Sequence, residues 1–136
     1  MRFFRFIAVG EQFDVDGYLT ATGLGADASW HRGEKRGGGT YPNCGFIKYL
    51  GDESVLSLHQ QVTAACLFLT ESRSKLERLK TWRGFEGASL QLSPEVEVAE
   101  GPVCTGLFFP EEVVKLAGEL YLSIGFSVRV TPGGET

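Results

Sequence analysis

Two histidines and three cysteines are the residues best suited to chemistry in this chain of 136 residues. His31 and Cys44 flank one glycine-rich stretch, and His59 follows in a segment with helical periodicity. A Cys–His hydrolase needs a thiol, a base within hydrogen-bond reach and a group that orients the base. No local signature of that kind surrounds Cys44, Cys66 or Cys104, so no catalytic residue is assigned and packed, free thiols are expected. The cysteines are widely spaced and include no Cys-x-x-Cys pair, which argues against a zinc ribbon and a disulfide framework. Nothing fixes the spacing of His31 and His59, so no metal site is assigned to them. Glu11, Asp14 and Asp16 could offer oxygen ligands to a hard cation, but they lack the further acids and glycine turn of an EF-hand loop. Capping of a short helix is the expected role of this acidic turn.

The stretch "ASWHRGEKRGGGTYPN", residues 28–43, raises the question of phosphate binding. "GEKRGGGT" has the glycine spacing and terminal threonine of a phosphate loop, but Gly39 stands where the lysine belongs. Such a loop also needs a helix after it, so that amides and dipole point at the phosphates; Tyr41-Pro42 and a strand pattern follow instead. No nucleotide and no other cofactor is expected. A long mobile connection is the reading here, with Trp30, Arg32 and Arg36 as candidate partner contacts.

The positions of the charges narrow the class of partner. The net charge is −4; residues 81–136 hold three basic and eight acidic groups and so carry the whole excess. That balance disfavours nucleic acid, whose binding needs basic groups to release counterions. The basic stretch "RSKLERLKTWR" suits the C-terminal end of a helix, where cations meet the dipole. Glu95, Glu97 and Glu100 would form an acidic patch on an exposed strand face, able to steer a basic protein or to guard a sheet edge. The apolar fraction of 43% and charged fraction of 22% are those of a globular domain, and no apolar run has the length of a membrane helix. A cytoplasmic location is the expectation.

The elements that must position these groups follow from periodicity and punctuation. "RFFRFIAV" predicts a strand over 3–9 with apolar side chains on both faces, hence a central one. Asp14 or Asp16 caps a short helix that Gly23 ends, and "CGFIKYLG" is a second strand. Asp52 is placed as the cap of the longest helix, with Val55, Leu58, Val62, Ala65, Cys66, Leu69, Leu76 and Leu79 at helical spacing. Glu71–Lys75 and Arg73–Glu77 pair four residues apart on its outer face. "SLQLSPEVEV" alternates, with Pro94 marking an edge or a bulge, and "VCTGLFF" is its candidate hairpin partner. "PEEVVKLAGELY" reads as a helix and "SIGFSVRV" as the last strand, with Ile124, Phe126, Val128 and Val130 on one face. The order is β-α-β-α-β-β-α-β: a single α+β domain over 1–131 with a frayed tail at 132–136. Its sheet would be mixed and largely antiparallel, helices on one face, the closing β-β-α-β partly ferredoxin-like.

"FDVDGYLTATGLGADASWHRG" and "FFPEEVVKLAGELYLSIGFSVRV" resemble a bacterial family catalogued as domain of unknown function 4279. The first matches that family's aspartate-rich turn, Leu-Gly helix end and Trp near a Gly through Asp14, Asp16, Thr20, Gly23, Trp30 and Gly33. The second matches its Pro-Glu helix start and closing alternating strand. Two features depart from the pattern: Ala26-Asp27 lacks the usual proline before the Trp, and Phe109 stands at the usual polar cap. The resemblance implies a fold and no chemistry. Together with the acidic charge it leads to the expectation of a non-enzymatic binding protein, most concretely an immunity-type protein that occludes a basic toxin. The alternative expectation is a small-ligand-binding protein or enzyme with its site under the 28–43 loop. A homodimer paired along residues 89–98 is a third.

Overall fold

The computed structural model describes residues 3–98 and 111–132, and it is an α+β fold built on one mixed sheet. Arg5–Gly10 (β1) alternates half-buried and buried positions, so Phe6 and Ala8 enter the core while Arg5, Ile7 and Val9 face the other way. The strand is central, as its apolar run predicts, but burial on both faces is not observed: only the even-numbered side is closed off from water.

After β1, Asp14 accepts a hydrogen bond from the Gly17 amide and caps Val15–Thr22 (α1). Gly23 ends the helix in the left-handed region (φ 70°), where a side chain would be strained. Ala28–Trp30 (β2) and the hairpin strands Lys35–Arg36 (β3) and Gly39–Thr40 (β4) follow. Cys44–Tyr49 (β5) pairs with β1, placing Ile7 opposite Ile47 and Ala8 opposite Phe46.

The long helical region begins later than Asp52 suggests. Ser57 accepts from the Gln60 amide, and the Gln60 side chain accepts from the Ser57 amide, a capping box that starts Leu58–Glu71 (α2). Asp52 instead organises the preceding turn by accepting from the Ser54 amide, and Val55 is exposed. The helix breaks at Ser72 and continues as Arg73–Leu79 (α3). Arg73 pairs with Glu77, as its spacing predicts, and also reaches Glu119 at 2.8 Å; Glu71 and Lys75 do not pair.

Gly87–Leu92 (β6) and Glu95–Val98 (β7) are separated by Ser93-Pro94. Helix Glu111–Glu119 (α4) leads to Ser123–Phe126 (β8) and Arg129–Pro132 (β9), so the expected last strand is broken in two. The main sheet has the order β2-β5-β1-β6-β8, antiparallel except for β6 and β8. β6 is therefore an interior strand, and Pro94 lies beyond it; pairing of a second chain along 89–92 has no free edge to use. β5 and β6 run parallel with β1 between them and α2–α3 connecting them, the split β-α-β of ferredoxin-like folds. β7 and β9 pair in parallel with the same offset as β6 and β8, continuing that ribbon past a shared break.

The helices cover one face. Tyr18 of α1 stacks on Phe46, with ring centroids 5.8 Å apart, and Phe68 of α2 contacts Phe6. Val62, Ala65, Leu69, Leu76, Leu79, Val113 and Leu120 complete one continuous core with Leu90 and Leu92. The Tyr18 hydroxyl donates to the Lys75 carbonyl, and burial pushes its pKa up to about 12. No described helix is long and apolar enough to cross a membrane. The candidate strand "VCTGLFF" lies outside the described residues, as do Phe109, Cys104, Glu100 and the 133–136 tail.

Candidate functional site on the open face of the sheet

Among the described residues, no layer of regular structure covers the face opposite the helices. Its side chains come from the alternate positions of each strand: Arg5, Ile7 and Val9 of β1, Ile47 of β5, Ser89 and Gln91 of β6. Because half of these positions are aliphatic, water contacts an apolar floor that an ordinary solvated sheet face would not offer.

The stretch 28–43 shapes one end of this floor. It forms three short strands where its glycines suggest a long loop. β3 and β4 pair around Gly37-Gly38, with Gly37 at φ 52°, as a two-residue hairpin turn requires. The ladder continues outward: the Gly33 amide donates to the Tyr41 carbonyl and the Tyr41 amide to the Glu34 carbonyl, both at 2.9 Å. There is no helix after the glycines, so their amides cannot form a phosphate cradle with a dipole behind it.

Trp30 seats the hairpin on the sheet. Its indole lies where a side chain at residue 45 would be: a Cβ on Gly45 would sit 2.5 Å from Trp30 Cζ2 and 2.6 Å from the Ala8 carbonyl oxygen. The indole N–H donates to Asn43 Oδ1 at 3.0 Å. Tyr41 stacks on Trp30 at 5.5 Å, and the Arg36 guanidinium lies 5.4 Å from the Tyr41 centroid. The result is a layered wall of arginine, tyrosine and tryptophan standing beside Ile7, Val9 and Ile47. Wall and floor enclose a groove of about 340 Å³ that Arg5 and Arg36 both line. Ile7 and Val9 extend it over Gly87, Ser89 and Ser123, and Arg5 extends it toward Gln91, Gly125 and Phe126, so the trough crosses the sheet.

Two ionic contacts fasten the hairpin to α1 and the preceding turn. His31 presents Nε2 to Asp16 at 2.9 Å and Nδ1 to Glu34 at 2.7 Å. With a carboxylate on each nitrogen the imidazolium is favoured, and the Glu34 and Asp16 hydrogen bonds raise the His31 pKa. Arg32 reaches Glu11 at 2.9 Å. These distances are direct hydrogen bonds and leave no space for an ion between the groups. Among the described residues no cluster of three or more His, Cys, Asp or Glu could hold a metal.

Neither described thiol, Cys44 or Cys66, bonds to a histidine. Cys44 Sγ receives the Arg32 amide at 3.3 Å and faces the Glu11 carbonyl, while both nitrogens of His31 are turned to carboxylates. Burial and the nearby Glu112 carboxylate push the Cys66 thiol pKa up, away from the reactive thiolate. His59 is exposed on α2.

Of the residues that the sequence singles out, Trp30 and Arg36 come together in the groove, whereas Arg32 is turned away to Glu11. Glu95 faces Arg129 at 3.7 Å; Glu97 lies in β7 with its side chain outside the description, and Glu100 lies outside it altogether. Of the three carboxylates expected to form an acidic patch, Glu95 is thus the one whose side chain lies among the described residues. Arg5, Ile7, Val9, Tyr41 and Ile47 are groove residues that sequence reasoning missed. Their signal was present in "RFIAV": a charged residue two positions before an aliphatic one marks the side of the strand that water reaches.

No family model matches the chain, and no curated protein or solved structure matches it.

Proposed function

We propose that this chain is a non-enzymatic binding protein that takes a small ligand on the open sheet face, beneath the 28–43 hairpin. One observation carries the reading: a hairpin, locked by Trp30 against Gly45, builds a wall beside an apolar floor that no described element covers. Ligand sites are concave and mostly apolar, with a few convergent polar groups, and this groove has that composition. Occlusion of a basic protein by the 95–100 edge draws support from the net charge of −4. The pairing of Glu95 with Arg129 withdraws one carboxylate from that surface.

A thermal-shift screen of mixed metabolites against the wild-type chain and Trp30→Ala provides the test. Trp30→Ala removes the wall and leaves the helix-side core intact. The expected result is a set of ligands that raise the wild-type melting temperature by a few degrees, lose that effect in Trp30→Ala and keep it in Glu95→Gln. Ligands whose effect survives in Trp30→Ala would place the site elsewhere.

A further inference from the structure

We infer that the ligand is an amphipathic carboxylate, its apolar body on Ile7, Val9 and Ile47 and its anionic group between Arg5 and Arg36. The inference rests on the groove reading above and adds the chemistry of what fills it. The groove is lined by two guanidiniums and no carboxylate, in a chain whose net charge is −4.

Arg5 is the stronger observation. It sits half-buried in the central strand, over the Phe3 ring at 5.5 Å. Its Nε–H donates to Gln91 Oε1 at 2.7 Å, which fixes the plane of the guanidinium and leaves the two terminal nitrogens with no protein acceptor among the described residues. A guanidinium held by Nε presents its terminal N–H groups as a fork that a planar carboxylate matches. Arg36 also forms no ion pair among the described residues; it rests on Tyr41, with its charge directed at the same space. Every other described arginine except Arg83 is engaged, Arg32, Arg73 and Arg129 by carboxylates and Arg78 by the Ala21 carbonyl. Of the three described guanidiniums with neither a carboxylate nor a backbone carbonyl as partner, Arg5, Arg36 and Arg83, two line the groove where the apolar floor is exposed. The volume of about 340 Å³ fits a single ring or short alkyl chain with one acid group.

The test compares 4-phenylbutyrate with its uncharged analogue 4-phenylbutyramide by amide and Arg Nε chemical-shift titration of the full chain. The carboxylate is expected to shift Ile7, Val9, Ile47, the Trp30 indole and the Arg5 Nε signal, with a Kd of about 1 mM or tighter. The amide should bind about tenfold more weakly, and Arg5→Gln and Arg36→Gln should each weaken the carboxylate by a similar factor. Lys35→Gln, on the same hairpin outside the groove, should change nothing. Arg36 is exposed, so its variant keeps the test decisive if Arg5→Gln does not fold. Equal binding of acid and amide at the groove would overturn the carboxylate assignment and leave the groove reading standing. Shifts confined to other surfaces, or none up to about 10 mM, would overturn both.

Discussion

Gln61 shows how one buried polar side chain holds an irregular place in the fold. It is fully buried, donates to the Leu56 and Ser93 carbonyls and accepts from the Ser93 amide at 2.9 Å. Ser93 lies at the break between β6 and β7, where the ladder cannot satisfy its backbone, and Gln61 replaces the missing strand partners. Arg129 adds hydrogen bonds to Ser93 Oγ and to the Ser93 carbonyl, and Glu53 accepts from the Phe3 and Phe4 amides. Gln61→Leu keeps the volume but strands the Ser93 N–H in an apolar site. It should destabilise the fold by about 2–4 kcal/mol, measurable as a lower urea midpoint with an unchanged m-value. A loss below about 0.5 kcal/mol would mean that water reaches Ser93. Periodicity could not have identified this role, because Gln61 occupies an apolar-face position without being apolar.

Elements were legible in the sequence where a long stripe met its own punctuation, and illegible where the strands are short. Asp14, Gly23 and the helical spacing from Val62 to Leu79 correspond to observed caps and core. Asp52, a capping residue near the stripe, draws the expected start of α2 toward it; the Ser57–Gln60 pair three residues apart is the stronger signal. β3 and β4 carry Lys, Arg, Gly and Thr, with no alternation to distinguish them from loop, and only cross-strand pairing makes them strands. Of the site, Trp30 and Arg36 could be picked from the sequence, but the open face depends on where the helices pack, which no local pattern encodes. The hairpin's attachment to α1 through His31 is titratable, which gives a prediction at this scale. Contact with Asp16 and Glu34 raises the folded-state pKa above 6.5, so the latch contributes fully below about pH 6.5 and is lost as pH rises through the folded value. The side chain is 45% exposed, so solvent screening keeps the contribution below about 1 kcal/mol. A proton NMR titration should place the His31 pKa above 6.5, and Asp16→Asn should lower it; an unshifted His31 would mean that the latch does not persist in solution.

At the scale of the whole molecule the two sides of the sheet divide the work. The helix side gathers the buried aromatic and aliphatic groups into one core, which fixes the strand order. The other side keeps a few aliphatic residues, two guanidiniums with no carboxylate partner among the described residues and a braced hairpin, a surface that folding alone does not require. The split β-α-β frame makes this asymmetry possible, because its described crossover helices pack on one face. The most direct test of that division is a chemical-shift map of the isotope-labelled chain with an extract of its source cells, separated into low-molecular-mass filtrate and macromolecular fraction. The filtrate should perturb Ile7, Val9, Trp30 and Ile47 while leaving α2 and α4 unchanged. Perturbation by the macromolecular fraction alone, centred on the helix layer or on 95–98, would contradict the account.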